Sequence, residues 1–241
     1  MIETIPAALA AAVRRDPTTP LLTWYDDASG DRTELSGATM ANWVAKTANL
    51  LVDGVGLGSG DSVAVLMPPH WQTAAVLLGS WAAGLAADLG PDPRPVEVLF
   101  TTPERAEVAA GWSTTDRYAT GLLPLAAPLR QIPPGFADYT VEVRAFGDYF
   151  SSSPVDKNDR ALAGPVEESH LSVCEMATER AVELGIKPGD RVLVDASAYP
   201  DPTDWLLAPL IAGASIVLCG NLDAAKVQSR TEAEKATLLL A

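Results

Sequence analysis

Few side chains in this 241-residue sequence have the type and spacing that chemistry demands. Histidine occurs twice, as His70 and His170, and cysteine twice, as Cys174 and Cys219. A metal site needs more ligands than these supply, so none is expected. The cysteines fall in a predicted helix and at a predicted strand end, and read as free, buried thiols of a reducing cytosol. His70 follows a predicted strand, a place where α/β sheets often bind ligands. No serine, cysteine or matched acid stands near it in sequence, and it reads as a surface or capping histidine. No Gly-x-Ser-x-Gly elbow is present, which argues against a serine hydrolase. Gly54, Gly56, Gly58 and Gly60 precede a predicted strand instead of following one, the wrong context for a dinucleotide loop. They read as turn glycines. The tryptophans, notably Trp43, Trp71, Trp81 and Trp205, fall mainly on predicted helices and read as packing.

The elements that would position these groups come in two similar sets. Residues 56–89 and 185–218 align without a gap at an offset of 185 − 56 = 129, with ten identities. Gly56, Gly60-Asp61, Val63, Val65, Leu77-Leu78, Ala83-Gly84 and Leu89 match Gly185, Gly189-Asp190, Val192, Val194, Leu206-Leu207, Ala212-Gly213 and Leu218. Gly-Asp before alternating valines predicts a turn feeding a buried strand, over 62–67 and 191–196. An apolar helix follows, about 71–83 and 203–212, ended by Ala-Gly where glycine can adopt the left-handed cap. A second strand is predicted at 85–89 and 215–219. Ahead of each set runs an amphipathic helix, with Met40, Val44, Thr47 and Leu51 on one face of the first. Leu171, Cys174, Ala177, Ala181 and Leu184 share a face of the second. Helix, strand, helix, strand, twice over, predicts an α/β fold of two similar lobes with largely parallel sheets and crossover helices. The lobes are expected at 1–150 and 151–241, joined as one compact unit.

The remaining segments are read in the same way. An N-terminal helix (2–15) precedes a hairpin of 21–25 and 32–35, and Ser36 caps the helix running to Asp53. A parallel strand at 96–101 leads to a proline-started helix at 103–111. Prolines between 119 and 135 predict an edge strand or extended loop. The stretch 139–150 is ambiguous between helix and strand, and 151–165 reads as the junction between lobes. A charged helix at 224–235 and a last strand at 236–240 complete the order.

The net charge of −14 argues against nucleic acid and anionic membrane surfaces as partners, because phosphate binding relies on clustered Lys and Arg. The longest uncharged apolar runs, 74–87 and 205–219, hold 14 and 15 residues, too few to span a bilayer. The N-terminus lacks signal-peptide order, and a cytoplasmic protein is expected.

The order Leu35-Ser36, Ala48-Asn49-Leu50-Leu51, Gly56-Leu57-Gly58-Ser59-Gly60-Asp61-Ser62-Val63-Ala64-Val65-Leu66-Met67-Pro68 and Ala83-Gly84 resembles the N-terminal region of the adenylate-forming superfamily. That superfamily includes acyl-CoA synthetases, peptide adenylation domains and luciferases. Ser169-His170-Leu171 and the second Gly-Asp set look like its next segment. The resemblance implies two lobes related by internal symmetry and covers the first half or so of a complete member. It also implies ATP with magnesium, and CoA, whose motifs are missing here. The family carries a Ser/Thr/Gly-rich loop with Pro-Lys-Gly just before Ser169-His170. Residues 151–168 hold one glycine there, prolines without amide hydrogens and the acidic pair Glu167-Glu168, so no nucleotide phosphate loop is expected. Ser151 to Ser153 and Lys157 read as a solvated loop. Tyr199-Pro200-Asp201 occupies the place of the family's aromatic-His pair near the acyl pocket, which makes Tyr199 and Asp201 the candidate ligand-binding residues. No catalytic residue is expected. The reading is a non-catalytic, acyl-CoA synthetase-like binding or regulatory module. The alternatives are acid activation with a partner chain, and a structural oligomerisation protein. A homo-oligomer or a protein partner is expected in each case, covering apolar surface that the absent regions would bury.

Overall fold

The computed structural model describes residues 2–151 and 154–241. In chain order the elements are α1 (Ile5–Arg15), β1 (Pro20–Asp26), β2 (Asp31–Ser36), α2 (Gly37–Asn49), β3 (Ser62–Leu66), α3 (Trp71–Ala82) and β4 (Ala86–Asp88). Next come β5 (Val98–Thr101), α4 (Ala106–Ala109), β6 (Asp116–Ala119), β7 (Ala137–Asp138), α5 (Tyr139–Glu142), β8 (Arg160–Ala163) and β9 (Glu168–Ser169). The chain ends with α6 (His170–Glu183), β10 (Arg191–Asp195), α7 (Ala208–Ala212), β11 (Ser215–Gly220), α8 (Val227–Glu234) and β12 (Leu238–Leu240). The expected α/β class with parallel-dominated sheets is what the chain adopts.

Two compact units emerge, one of 1–41, 68–74 and 174–241, the other of 42–67 and 75–173. The first holds a sheet ordered β12-β10-β11-β1-β2, parallel except for the β1–β2 hairpin. The second holds the order β7-β6-β5-β3-β4-β8-β9, parallel except for β8–β9. These units differ from the division at 150 read from the sequence. The reason is pairing at long range: β1 joins β11 in parallel, and β8, inside the expected junction, joins β4.

Each Gly-Asp segment builds its strand pair through the same bonds. In the second unit the Gly60 amide donates to the Gly84 carbonyl at 3.1 Å, and the Asp61 carbonyl accepts from Ala86 at 2.9 Å. The Asp61 carboxylate accepts the Gly58 amide at 2.8 Å. In the first unit Gly189 donates to Gly213 at 3.1 Å and Asp190 accepts from Ser215 at 2.9 Å. The Asp190 carboxylate accepts the Lys187 amide at 2.7 Å. Gly84 and Gly213 end their helices at φ +81° and +80°, where an L side chain is strained. Ser62 then pairs with Ala86, and Arg191 with Ser215, so both strand pairs start in one register.

Strands covered on two faces should be apolar at their centres, and 63–66 of β3, 98–100 of β5 and 192–194 of β10 are. Val63, Ala64, Val98, Leu99, Phe100, Val192, Leu193 and Val194 are all fully buried. Met40, Val44, Thr47 and Leu51 are buried as their spacing requires. After α2 the chain widens into a π-helical turn, Leu50–Val55, and a second, Thr203–Leu207, precedes α7. Between 119 and 135 the chain is loop broken by a 3₁₀ turn at Pro124–Ala126, with Leu122, Leu125 and Ala126 at positive φ, and β6 lies just before it at Asp116–Ala119. Its two buried residues, Tyr118 and Ala119, give no periodic signal. Residues 139–145 are helical, a short α turn followed by a 3₁₀ turn. Among the described residues no helix is long and apolar enough to cross a membrane.

In the second unit α2 and α3 approach closely at Gly79. A Cβ there would lie 2.5 Å from Thr47 Cβ and 3.2 Å from the Val44 carbonyl oxygen. Thr47 is held in place, its hydroxyl 2.8 Å from the Trp43 carbonyl and 2.7 Å from the buried Tyr139 hydroxyl. Gly79→Ala is therefore expected to lower stability by about 1–3 kcal/mol, read as a shifted urea midpoint at unchanged m-value.

Candidate functional site

In α/β sheets the carboxyl ends of the strands present backbone and side chains to ligands, which makes that edge of each unit its candidate site. In the second unit that edge is formed by Asp88, Thr101, Ala119, Asp138 and Ala163, the last residues of β4, β5, β6, β7 and β8. Its polar groups are turned inward. The buried Asp138 carboxylate accepts the Leu129 amide at 2.7 Å, the Thr140 amide at 2.8 Å and the Thr140 hydroxyl at 2.7 Å, capping α5. Asp88, fully buried, accepts the Gly90 amide at 2.8 Å and pairs with Arg94 Nε at 3.2 Å. Burial pushes the Asp88 carboxyl above its usual range, against the Gly90 amide and the Arg94 charge.

The segment where the resemblance implies a phosphate loop is the β8–β9 hairpin. Arg160 pairs with Ser169 and Leu162 with Glu168, leaving Gly164-Pro165-Val166-Glu167 to turn the chain. Gly164 sits at φ +123°, and a Cβ there would lie 2.7 Å from Arg94 Nη1 and 3.2 Å from Asp88 Oδ1. The turn thus rests on the Asp88–Arg94 pair. Arg160 closes the hairpin, donating to Glu167 at 2.6 Å and to the Gly60 carbonyl at 2.6 Å. Glu168 accepts from the Ser172 hydroxyl at 2.5 Å, and the Ser169 hydroxyl accepts the Ser172 amide at 3.2 Å, capping α6. Trp81 Nε1 donates to the Ala161 carbonyl at 2.8 Å and ties β8 to α3. Ser151 lines a hollow of about 330 Å³ with Asn49, Asp53 and Asp159. Ser152 and Ser153, read from the sequence as loop, lie outside the described residues.

In the first unit the carboxyl edge carries the other candidates. Asp201 is exposed, and its carboxylate accepts the Thr203 amide at 2.7 Å while its carbonyl accepts the Asp204 amide at 2.9 Å. It is a helix cap. Tyr199 is half-buried and its amide donates to the Asp195 carbonyl at 3.0 Å. His70 is buried, not at the surface: Nδ1 accepts the Gln72 amide at 3.1 Å at the start of α3. The Trp24 ring meets it edge-on, centroids 4.6 Å apart. Burial lowers its pKa to about 3, and burial likewise lowers that of His170 to about 4. Cys174 and Cys219 are free and buried, and burial pushes both thiols up to about 11.

An ionic knot that the sequence did not announce ties β1, β2 and β10 to α8. Arg230 donates to Asp27 at 2.5 and 2.9 Å and lies over the Tyr25 ring, 4.2 Å from its centroid. The Tyr25 hydroxyl donates to Glu234 at 2.5 Å, and Arg32 and Arg191 also donate to Glu234. The Arg230 hydrogen bonds hold the Asp27 carboxyl well below the carboxylate range. Burial works to raise the Glu234 pKa, but the bonds from Tyr25, Arg191 and Arg32 prevail and bring it to about 2. Its members lie some 200 positions apart, as Arg32 and Glu234 do, and no local pattern could have revealed them.

A protein of Mycobacterium tuberculosis described as "TIGR03089 family protein" is 41% identical to this chain over 249 aligned positions, 98% of this chain and all of that protein. The chain belongs to the TIGR03089 family. No family model matches it. Among solved structures it is similar to an acyl-CoA synthetase of Brucella canis, with a TM-score of 0.73, 19% identity, and coverage of 96% of this chain and 46% of that one. It is similar to the anthranilate CoA ligase AuaEII in complex with anthranoyl-AMP, with a TM-score of 0.71, 16% identity, and coverage of 98% and 49%. The N-terminal domain of FACL13 from Mycobacterium tuberculosis gives a TM-score of 0.69 at 15% identity, with coverage of 99% and 62%. The likeness at these identities is one of fold, and the chain spans about half the length of the first two. This TIGR03089 family member therefore has the fold of acyl-CoA synthetase N-terminal domains.

Of the polar groups at the carboxyl edges, those described here spend their bonds on caps, turns and ion pairs. The two histidines carry a measurable consequence. Each is neutral when folded to well below the ordinary value of 6.5, whereas the unfolded chain takes up a proton there. Stability is thus complete above pH 6.5 and is lost as pH falls from 6.5 toward 4, by about 1.4 kcal/mol per pH unit for each histidine. His70→Asn keeps an acceptor for the Gln72 amide without the titration. It should remove about half of that slope between pH 6.5 and 5, measured by urea denaturation across the range.

Proposed function

We propose that this protein is a non-catalytic relative of the acyl-CoA synthetases, using the fold of their N-terminal domain as a binding or regulatory module. One observation supports the reading above the others: the four-residue turn Gly164-Pro165-Val166-Glu167 between β8 and β9. A triphosphate needs several amide hydrogens converging on it, with cationic or hydroxyl side chains nearby. Pro165 has no amide hydrogen. The Arg160 guanidinium is engaged by Glu167 and the Gly60 carbonyl, and Arg94 Nε by Asp88. Glu167 and Glu168 add two carboxylates to the hairpin, and these would repel a triphosphate. ATP with magnesium does not fit this hairpin, and no reaction step is assigned to it.

The reading is tested by carboxylate-dependent exchange of pyrophosphate into ATP, using the full chain with short, long and aromatic acids. Background rates with every acid are expected. Exchange that scales with protein concentration and with one acid would overturn the reading in favour of acid activation.

A further inference from the structure

A cleft lies within the first unit, at the amino ends of β1, β10 and β11, opposite the edge where α/β sheets ordinarily bind ligands. Its volume is about 870 Å³, within the range of small-molecule sites. Arg15, Arg32, Arg191 and Lys235 line it, together with Asp16, Glu34, Asp190 and Glu234.

The formal charges balance, but the bonding does not. Each acid already accepts protein donors. Asp16 takes the Thr18 amide and hydroxyl and the Thr19 amide at 2.8–3.1 Å. Asp190 takes the Lys187 amide and the Thr237 hydroxyl, both at 2.7 Å. Glu34 takes Arg32 and the Thr23 hydroxyl, and Glu234 takes Tyr25, Arg32 and Arg191. The cations keep donors in reserve. Arg15 makes one bond, Nη1 to the Gly213 carbonyl at 2.7 Å, and a guanidinium has five N–H groups. Among the described residues Lys235 makes no side-chain hydrogen bond or ion pair.

Two backbone features hold these cations at the cleft. A Cβ on Gly213 would lie 2.6 Å from Arg15 Nη2 and 2.9 Å from Nη1, so the guanidinium lies in the space that a side chain there would take. At the matching glycine of the second unit, Gly84, the atoms nearest such a Cβ are those of Ser59, at 3.4–3.5 Å, and no guanidinium is among them. Lys235 ends α8 at φ +52° and ψ +40°, a left-handed conformation that favours glycine. Non-glycine residues held there tend to cluster at functional sites.

We infer that this cleft binds a small polar metabolite through an oxyanion, phosphate or carboxylate, held by the planar fork of Arg15 and the ammonium of Lys235. Guanidinium suits both oxyanions by bidentate hydrogen bonding, and lysine adds a point charge. The site is separate from the β8–β9 hairpin, so it stands or falls independently of the function proposed above.

The test is thermal unfolding and calorimetric titration of the full chain with inorganic phosphate in one arm and citrate in another, each against potassium chloride at matched ionic strength. The expected result is a saturable rise in Tm beyond chloride in at least one arm, and the responding arm identifies the oxyanion. Arg15→Gln and Lys235→Gly should each weaken that binding about tenfold. Lys235→Gly without ligand should melt at or above the wild-type temperature, because glycine relieves the left-handed residue. Should Arg15→Gln fail to fold, Lys235→Gly alone carries the comparison. No rise beyond chloride in either arm, or a rise undiminished in a folded variant, would overturn the inference.

Discussion

The structure depends on a small set of bonds around each Gly-Asp turn. A glycine amide is fastened to the carbonyl of the glycine that ends the following helix, and the aspartate carbonyl receives the first amide of the next strand. The aspartate carboxylate meanwhile closes its own turn. Together these bonds fix where the parallel pair begins, and a slip of one residue would turn every buried side chain to the opposite face. The apolar strands Val63–Val65 and Val192–Val194 have no register information of their own, since every position is buried. Register therefore has to come from the turns, and the hydrogen bonds are the same in both units.

With the sheets so fixed, what the carboxyl edges offer a ligand is decided by the loops. Here the polar groups of these loops bond to the protein itself. The β8–β9 turn lies against Asp88 and Arg94, and Asp138 and Asp201 serve as helix caps. Arg230, Asp27 and Tyr25 lock the end of β1 to α8. Breaking a buried pair of this kind leaves an uncompensated charge, so such pairs constrain a surface more than they equip it.

Much of the fold was legible in the sequence because its strongest signals are local. The Gly-Asp turns, the Ala-Gly helix ends and the faces bearing Met40, Val44 and Leu51 lie where periodicity and cap chemistry put them. What was hidden is non-local or short. β6 and β8 are four residues each, set beside prolines or charged residues, and burial in a wide sheet makes them strands. The division into units depends on β1 meeting β11, almost the full length of the chain away. The sequence offers His70 as a surface or capping histidine; it accepts the Gln72 amide at the start of α3, but it is not at the surface, because Trp24, 46 positions earlier, packs against it. The single glycine and the acidic pair between 151 and 168 were readable as composition. That Gly164 to Glu167 form a tight turn on an Asp–Arg pair was not, because Arg94 lies 70 positions before Gly164.

The proposal that the β8–β9 turn does not cradle a triphosphate is tested by amide hydrogen exchange resolved to residues 163–168. The account requires exchange at Gly164, Val166 and Glu167 to be the same with and without millimolar ATP and magnesium. Slowing of those amides by the nucleotide, and not elsewhere in the chain, would contradict it.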